Sequence, residues 1–320
     1  MAVIGTQVTD AVKHLSSGEI IGIPTETVYG LAANALDERA VLEIFKAKKR
    51  PSFDPLIVHC DSLARVKQYV TDFPDPALQL AKKFWPGPLT LVLPKKEIIP
   101  DLVTSGMHTV AVRIPNHPLT LELLKQLDFP LAAPSANPFG YISPTNANHV
   151  NDQLGEKIPF ILDGGQSEVG VESTIVKVDA EGVTVLRLGG ISLEKIEDAV
   201  GLVALQLSQG SNPQAAGMLD NHYAPAKRLY FGKVDKCLEE FPQLNVAILS
   251  FEKVYPQINS DNQIQLSKSG DLDEAARNLF GALRHLDKMN VEVILAEKFP
   301  DQSIGKAIND RLRRASYRNL

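Results

Sequence analysis

The sequence predicts an α/β protein with a mixed sheet in a large first domain and a smaller doubly wound domain behind it. In residues 1–205, short apolar runs alternate with amphipathic helical stretches. Hairpin-like strand pairs interrupt this alternation, which favours a mixed sheet over a uniformly parallel one. After a polar stretch at residues 206–227, a strand–helix–strand–helix order fills residues 228–320 and is typical of a doubly wound domain.

In the first domain, caps and apolar runs predict the individual elements in order. Thr9 is the predicted N-cap of a helix over 9–15, Asp37 caps the helix after the first strand, and Ser192 caps one that runs to about 200. Other helices are predicted at 63–70, 77–84 and 117–127. Strands are predicted at 20–23, 56–58, 89–93, 109–114, 131–133 and 160–162, and as a hairpin at 173–178 and 183–188.

The second domain is shorter and more regular. Strands are predicted at 244–250 and 291–295, and helices at 272–287 and 304–314. It carries no GxGxxG and no lysine-containing phosphate loop, so the usual dinucleotide and P-loop signatures are missing. A loop rich in Pro, Ser and Asn at residues 134–148 of the first domain is predicted to be functional, because long ordered loops seldom serve as simple connections.

Composition excludes several classes of protein. The chain has 320 residues, of which 44% are hydrophobic, and a net charge of -5, which argues against a general nucleic-acid coat. Cys60 and Cys237 lie far apart and outside any metal-binding spacing, which predicts a reduced, cytoplasmic protein without disulfides. No apolar stretch reaches the roughly 18 residues needed to cross a bilayer, so no membrane association is expected.

The densest group of candidate residues lies between residues 21 and 60. Thr27 follows one apolar strand and His59 ends another. Since ligands of open α/β sheets bind at the carboxyl ends of strands, a site is predicted here. The same segment holds a basic cluster, Lys46, Lys48, Lys49 and Arg50. This cluster fits a clamp for phosphate or carboxylate, and equally a solvated helix end, where cations are favoured.

Three further places are candidate sites. Ser135 and Asn137 lie two residues apart between prolines, so on an extended segment their side chains point the same way. Arg113 ends an apolar strand and is either an arginine at the edge of the core or an anchor for a carboxylate. Tyr223, in the polar stretch, is either an anchor on the first domain or a lid over a ligand.

Missing motifs narrow the chemistry. The seven histidines show no HxH or HxxxH spacing, which argues against a zinc site. No GxSxG elbow is present, so neither Thr27 nor Ser173 is predicted to be a nucleophile. Glu26 could act as an acid or base, but the sequence offers it no partner carboxylate.

A series of ordered motifs resembles the Sua5/YrdC/YciO family. In the first domain they are PTETVYGLA (24–32), KKRP (48–51), PLIVH (55–59), WPGPLT (85–90), VAVRIP (110–115), APSAN (133–137), STIV (173–176) and LRLG (186–189). HYAP (222–225) and GKAINDRLRRA (305–315) resemble the longer, two-domain Sua5 branch. The resemblance covers nearly the whole chain, and many motifs in one order are more specific than any of them singly.

The resemblance implies a fold and an activity. The expected fold is a YrdC-like twisted mixed sheet with flanking helices and a large, positively charged cavity (1–205), a linker that acts as a lid (206–227) and a small Rossmann-like C-terminal domain (228–320). The expected enzyme is a nucleotidyltransferase that makes L-threonylcarbamoyladenylate and pyrophosphate from L-threonine, bicarbonate and ATP. The product would pass to a downstream transferase complex for t6A modification of tRNA adenosine 37. No sequence pattern supports direct contact with tRNA.

The resemblance also implies roles for single residues. Lys48, Arg50, Ser135 and Asn137 match the family's catalytic KxR…SxN set. L-Threonine would be bound by Thr27, His59, Arg113, Ala133 and Ser173. ATP would be bound by Arg50, Asp54, Thr109, Ser135, Ser143, Arg187 and Tyr223. No protein motif for a metal is present, and Mg²⁺ is expected to arrive with ATP.

Two positions depart from the family pattern. Asp54 stands where many relatives carry Asn, and it puts an anion near the expected phosphates, as a metal ligand or as a tolerated change. Leu219-Asp220-Asn221 precedes HYAP where relatives often carry basic residues, so cations of the linker are not expected to hold the phosphates here.

Two alternatives remain at this stage. One is an RNA-binding module of the same fold without synthase activity, although the net charge and the lack of interleaved aromatic and basic residues count against it. The other is the YciO-like branch, which shares the fold. The intact KxR…SxN set and the HYAP linker argue against that branch.

Overall fold

The structure is a computed structural model that describes residues 1–207, 215–218, 222–232, 234–240, 242–243 and 245–316. Its strands are β1 (Val3–Gly5), β2 (Ile21–Ile23), β3 (Gly30–Asn34), β4 (Ile57–His59), β5 (Leu89–Pro94), β6 (Thr109–Arg113), β7 (Leu131–Ala132), β8 (Phe160–Leu162), β9 (Thr174–Asp179), β10 (Gly182–Arg187), β11 (Ala204–Leu205), β12 (Arg228–Phe231), β13 (Val246–Ser250), β14 (Gln263–Gln265) and β15 (Val293–Ala296). Its helices are α1 (Val8–Ser16), α2 (Glu38–Lys48), α3 (Leu63–Val66), α4 (Asp75–Phe84), α5 (Asp101–Thr104), α6 (Pro118–Gln126), α7 (Ala147–Leu154), α8 (Leu193–Val200), α9 (Val234–Glu240), α10 (Leu272–Lys288) and α11 (Gly305–Ser316).

The first sheet is mixed, as predicted. Its strand order is β1-β8-β2-β3-β7-β4-β6-β5-β9-β10-β11. Parallel pairs such as β4–β6 and β5–β9 alternate with antiparallel pairs such as β5–β6 and β9–β10. At one edge, β1 pairs with β8 in the register Val3 with Phe160. Distant parts of the chain therefore build neighbouring strands.

Strand β3, which begins at Gly30, was not predicted from the sequence. Gly30–Asn34 pairs antiparallel with β2 and with β7, and its first four residues are buried. Its alanines favour a helix in isolation, but pairing on both sides overrides that preference. The consequence for the site is a tight hairpin in which residues 24–29 connect β2 to β3.

Two of the three predicted N-caps are confirmed. Asp37 accepts a hydrogen bond from the backbone N–H of Arg39, and Ser192 from that of Lys195, as predicted. The predicted cap at Thr9 is wrong, because α1 begins at Val8 and its N-cap is Gln7, whose side chain makes no capping bond. The apolar faces of these helices cover the sheet, and α1 packs against α6 and α4 against α8.

The second sheet has four strands in the order β12-β15-β13-β14, all parallel. Helices α9, α10 and α11 accompany these strands, which confirms the doubly wound, Rossmann-like architecture. Asp271 caps α10 by accepting from the N–H groups of Asp273 and Glu274. Leu279, Phe280 and Leu283 of that helix are fully buried, so its apolar stripe faces the core.

Several short elements were not predicted. They are β1, β11, β12, β14, α5, α7 and α9. The helix predicted over 63–70 is present as α3, but it is shorter. Helix α7 occupies the end of the 134–148 segment and the residues after it, with Asn146 as its cap. Most of these elements span two to four residues, too few for a periodic pattern to stand out from its surroundings.

The linker is described in part. Residues 215–218 and 222–227 lie between β11 of the first sheet and β12 of the second, while the departure at Leu219-Asp220-Asn221 lies outside the described residues. The domain bounds at 205 and 228 stay a prediction. Within the described ranges, no helix is both long and apolar enough to span a membrane. Cys60 and Cys237 are both free thiols.

Candidate active site

A cavity lies where several strand ends and the linker meet. Because β4 and β6 are parallel, His59 and Arg113 are register partners at the same end of the first sheet. The cavity holds about 50 Å³. Nine residues predicted for the site contribute to its lining: Thr27, Arg50, His59, Arg113, Ala133, Ser135, Ser173, Arg187 and Tyr223.

Five predicted residues lie outside that lining: Lys48, Asp54, Thr109, Asn137 and Ser143. Thr109 begins β6, whereas Arg113 ends it, so the two residues stand at opposite ends of the strand. The amide of Asn137 donates to the carbonyls of Pro138 and Tyr141, both at 2.8 Å. The Ser143 hydroxyl donates to Glu172 Oε1 at 2.5 Å. Ser143 thus contacts Glu172 of the lining, and Asn137 stabilises the loop that carries Ser135.

The basic cluster divides into two halves. Lys46 and Lys49 are exposed, while Lys48 and Arg50 are buried. Lys49 ends α2 in the left-handed conformation, with φ of 53°, and this turn directs Arg50 inward. Lys46 and Lys49 therefore fit a solvated helix end, and of the four residues Arg50 lines the cavity. A phosphate clamp at Arg50 stays a prediction.

Lys48 stabilises the loop that carries Ser135 and Asn137. Its Nζ donates to the backbone carbonyl of Ser135 at 2.6 Å and to that of Asn137. Burial, followed by the charge of Arg50, holds the pKa of Lys48 well below its usual value. The KxR and SxN motifs are thus joined through the backbone of the loop.

Arg50 is held by the turn that follows it. Its guanidinium donates to the carbonyls of Asp54 and Pro55 and lies 2.9 Å from the Asp54 carboxylate. Burial raises the pKa of Asp54, and the nearby cations act against this rise. Asp54 pairs with Arg50, and the described residues contain no cluster of three His, Cys, Asp or Glu that could hold a metal.

Glu26 is the partner of Arg113. Arg113 Nη2 lies 2.8 Å from Glu26 Oε1, and each residue is only 4% exposed. The two groups are close but not aligned as a hydrogen bond, and among the described residues neither that nitrogen nor either Glu26 oxygen has a hydrogen-bond partner. Arg113 therefore keeps donor capacity for a ligand at the cavity.

The Ser173 side of the cavity is joined to the linker. Ser173 Oγ is 2.8 Å from Thr90 Oγ1 and accepts from Arg187 Nη2 at 3.0 Å. Arg187 also donates from Nη1 to the carbonyl of Ala216 in the linker. The linker is thus fixed to the end of β10 by an arginine of the cavity.

Tyr223 covers the cavity in a strained conformation. It is buried with φ of 64°, an uncommon backbone angle for a bulky residue. Its ring stacks on Phe280 of α10 with centroids 5.7 Å apart. Gly217 leaves room for it, since a Cβ there would stand 2.8 Å from the Tyr223 hydroxyl. That hydroxyl has no hydrogen-bond partner in the described part of the chain.

His59 is neutral in the folded protein. Burial, followed by the charge of Arg113, lowers its pKa to about 3. His59 Nδ1 is 3.2 Å from the carbonyl of Ile57, which fits a neutral ring that donates from this nitrogen. A histidine of this kind can orient a ligand, but it cannot supply a proton near pH 7.

The buried His59 makes stability depend on pH. Between pH 6.5 and about 3 the unfolded chain binds a proton that the folded chain does not, so stability falls as the pH falls. At pH 5 the expected loss is about 2 kcal/mol. Urea unfolding at pH 7.5 and pH 5 measures how much free energy of unfolding each variant loses between the two pH values. The loss should be smaller by that amount in His59→Gln than in the wild type, and exposed His108→Gln, the control, should behave like the wild type. An equal difference in wild type and His59→Gln would contradict this expectation.

Glu172 was missed by the sequence analysis. This buried carboxylate lines the cavity directly before Ser173. Its position in the sequence could have indicated it, because Glu172 directly precedes the candidate Ser173 at the start of a predicted strand. Burial pushes its pKa up, but Arg311 and Arg187 outweigh burial, and the pKa is lowered overall. Glu172 is therefore ionised at neutral pH.

The fold and the site define an α/β protein whose strand ends present buried arginines to a pocket. Comparison with known proteins adds the family. The Sua5_yciO_yrdC model, described as telomere recombination, matches residues 13–189. The Sua5_C model, described as the C-terminal domain of threonylcarbamoyl-AMP synthase, matches residues 191–316. The chain belongs to the Sua5/YciO/YrdC family, in its two-domain form.

Similar proteins span nearly the whole chain. A threonylcarbamoyl-AMP synthase of Pyrococcus abyssi is 42% identical over 96% of this chain and 93% of that protein. One of Bacillus subtilis is 39% identical over 97% and 93%. The crystal structure of P. abyssi Sua5 complexed with L-threonine matches with a TM-score of 0.92 and 38% identity, over 99% of this chain and 97% of that one. These relatives do not support the alternative of an RNA-binding module.

Proposed function

We propose that this protein is an L-threonylcarbamoyladenylate synthase that uses L-threonine, bicarbonate or CO₂, and ATP, and releases pyrophosphate. One observation carries the proposal. Lys48 joins the KxR and SxN motifs of the family, which are far apart in sequence, beside a cavity that is lined by arginines. The synthases of P. abyssi and B. subtilis, similar over the full length, support the same activity.

The cavity offers separate partners for the two substrates. Arg113, with unused donor capacity and a planar fork, suits the carboxylate of threonine. Thr27, neutral His59 and Ser173 stand around it. Arg50 and Arg187 suit the phosphates, and Tyr223 suits the nucleoside.

The reaction needs positioning more than a protein nucleophile. The neutral amine of threonine adds to CO₂ and releases one proton to water, which gives a carbamate anion. A carbamate oxygen then attacks the α-phosphorus of ATP. The new P–O bond forms as the bond to the β-phosphate oxygen breaks, and pyrophosphate leaves with that electron pair. Buried arginines stabilise the charge that develops on the phosphates, and exclusion of water protects the labile carbamate.

We propose Mg²⁺ as the metal that accompanies ATP. The donor set fits a metal held mainly by phosphate and water, because no three-ligand cluster is present among the described residues and Asp54 is paired with Arg50. Glu172, the carboxylate of the lining, is already bonded by Ser143 and Arg311, so the phosphates and water would supply most of the ligands. Bound Mg²⁺ would neutralise charge on the leaving pyrophosphate.

Entry of both substrates requires the linker to move. The cavity of about 50 Å³ is far smaller than the roughly 300–1,000 Å³ of a typical ligand pocket. Ala216, Gly217, His222 and Tyr223 of the linker form part of its lining. We infer that the linker opens to admit ATP and threonine and closes before the reaction.

The test of the function is pyrophosphate release with ATP, Mg²⁺ and bicarbonate, with and without L-threonine. Release that depends on threonine is expected, together with a threonylcarbamoyl-adenylate product detected by mass spectrometry. The proposal fails if release is the same without threonine. We further propose that the product passes, in the cytoplasm, to the enzyme complex that transfers the threonylcarbamoyl group to tRNA.

Tyr223→Ala should weaken ATP binding more than threonine binding. The ring of Tyr223 covers the side of the cavity near Arg187, and loss of one stacking partner for a base reduces affinity about tenfold. Titration calorimetry with each substrate measures the difference, and exposed Tyr230→Ala is the control. Equal effects on both ligands, or none, would instead favour a linker anchor.

A further inference from the structure

Arg311 of the second domain contacts a residue that lines the cavity of the first domain. It belongs to α11, near the C-terminal end of the described chain, yet its side chain is fully buried. Its Nε donates to Glu172 Oε2 at 2.8 Å, and its Nη2 donates to the carbonyl of Leu188 at 2.8 Å. Both partners belong to the first domain, and Glu172 lines the cavity.

The same guanidinium also supports the linker. Its Cζ lies 5.0 Å from the centre of the Tyr223 ring, within the range of a cation–π contact. Tyr223 is therefore packed between Phe280 and Arg311, which are both residues of the second domain. One side chain thus contacts the fixed wall and the linker residue that covers the cavity.

The local charges keep Arg311 in place. Its Nη1 lies 3.1 Å from Asp310 Oδ2, and Asp310 is in turn paired with Arg314. Burial disfavours the charge of Arg311, but Tyr223 and the carboxylates of Glu172 and Asp310 outweigh burial and raise its pKa. Each of the three nitrogens of this permanently charged arginine makes a hydrogen bond, so Arg311 is a rigid support for the linker residue Tyr223.

We propose that Arg311 is a positioning residue for the nucleotide: it fixes Glu172 and the Tyr223 ring so that the closed cavity fits ATP. The inference rests on the proposed function, and it assigns the second domain a direct part in substrate binding. Arg311 contacts Tyr223 and the carbonyl of Leu188, next to Arg187, and its partner Glu172 contacts Ser143. Tyr223, Arg187 and Ser143 are all residues expected to bind ATP. The effect should therefore fall on ATP rather than on threonine.

The experiment uses the full chain with Arg311→Met, which keeps much of the volume and removes the charge and the donors. The KM for ATP should rise about tenfold, and that for threonine less than about threefold, because one charged hydrogen-bond group is lost on the nucleotide side. Binding of a non-hydrolysable ATP analogue should weaken by the same factor. The KM for ATP of Arg311→Lys should lie between those of the wild type and Arg311→Met, because lysine keeps the charge near Glu172 but lacks the planar guanidinium.

Asn309→Ala is the matched control for stability. Asn309 is buried on the same helix, and its amide bonds both the N–H and the carbonyl of Phe299 within the second domain. This variant should lower the melting temperature and leave the KM for ATP unchanged. If it raises the KM for ATP as much as Arg311→Met does, loss of stability explains both effects and the proposal is overturned.

A double variant tests the route through Tyr223. If Arg311 acts mainly by holding the ring, Arg311→Met combined with Tyr223→Leu should bind the analogue no more weakly than the worse single variant. Fully additive losses, or an unchanged KM for ATP in Arg311→Met, would overturn the inference. If the wild type binds the analogue but shows no threonine-dependent release, the proposed function fails while the positioning role is still decided by the binding data. A wild type that does not bind the analogue would overturn both.

Discussion

Replacing Arg50 by alanine is expected to lower turnover by at least about 100-fold, the cost of removing one strong donor from a developing negative charge. The structure adds a second consequence. Asp54, fully buried and 2.9 Å from the guanidinium, would lose its partner. An unpaired buried carboxylate destabilises a fold by about 3–5 kcal/mol, so the single variant confounds catalysis with stability.

The double variant Arg50→Ala, Asp54→Ala separates these effects. Removing both charges should restore most of the stability in urea unfolding, because neither group is left unpaired. Threonine-dependent pyrophosphate release should stay as low as in Arg50→Ala. Recovery of activity in the double variant would show that Arg50 only neutralises Asp54, and it would remove Arg50 from the binding of phosphate.

Arg113→Lys is expected to raise the KM for threonine roughly 10–100-fold with a much smaller change for ATP. Lysine keeps the positive charge beside Glu26 and so avoids an unpaired buried carboxylate, but it cannot form two parallel hydrogen bonds to a substrate carboxylate. Loss of a charged hydrogen bond of about 1.5–3 kcal/mol corresponds to that range. Steady-state kinetics with each substrate varied in turn gives the measurement.

Arg284→Lys is the matched control for Arg113→Lys. Arg284 is about as buried and also bonds to backbone carbonyls, those of Ile142 and Ser143, but it belongs to α10 and does not line the cavity. It should lower stability and leave the KM for threonine unchanged. A similar rise in that KM for both variants would mean that general loosening of the fold, rather than carboxylate binding, explains the effect.

The sequence could predict those site residues that stand at the ends of recognisable strands. His59 and Arg113 each end an apolar strand, and two parallel strands necessarily bring such ends together. The sequence could not show which side chains of the basic cluster are buried. The left-handed turn at Lys49 decides which side chains are buried, and lysine gives no sign that it will adopt such a turn.

Contacts between distant elements lay beyond the sequence. The pairing of Arg311 with Glu172 depends on how two domains dock, and no periodicity in either segment reports that. Strand β3 was hidden for a related reason, because its alanines show a helix preference that the neighbouring strands override. Asp54, a departure from the family pattern, pairs with its neighbour Arg50.

The pairing of β1 with β8 also bears on how the protein is made. Val3 has its partner at Phe160, so the edge of the first sheet stays open until most of that domain has left the ribosome. At about 5–20 residues per second, this wait lasts roughly 8–30 s. During it, β2 also lacks its parallel neighbour β8 and exposes an apolar strand edge. Nascent chains of this protein are therefore expected to need protection by chaperones before residue 160 emerges, which ribosome-bound fragments of increasing length would reveal.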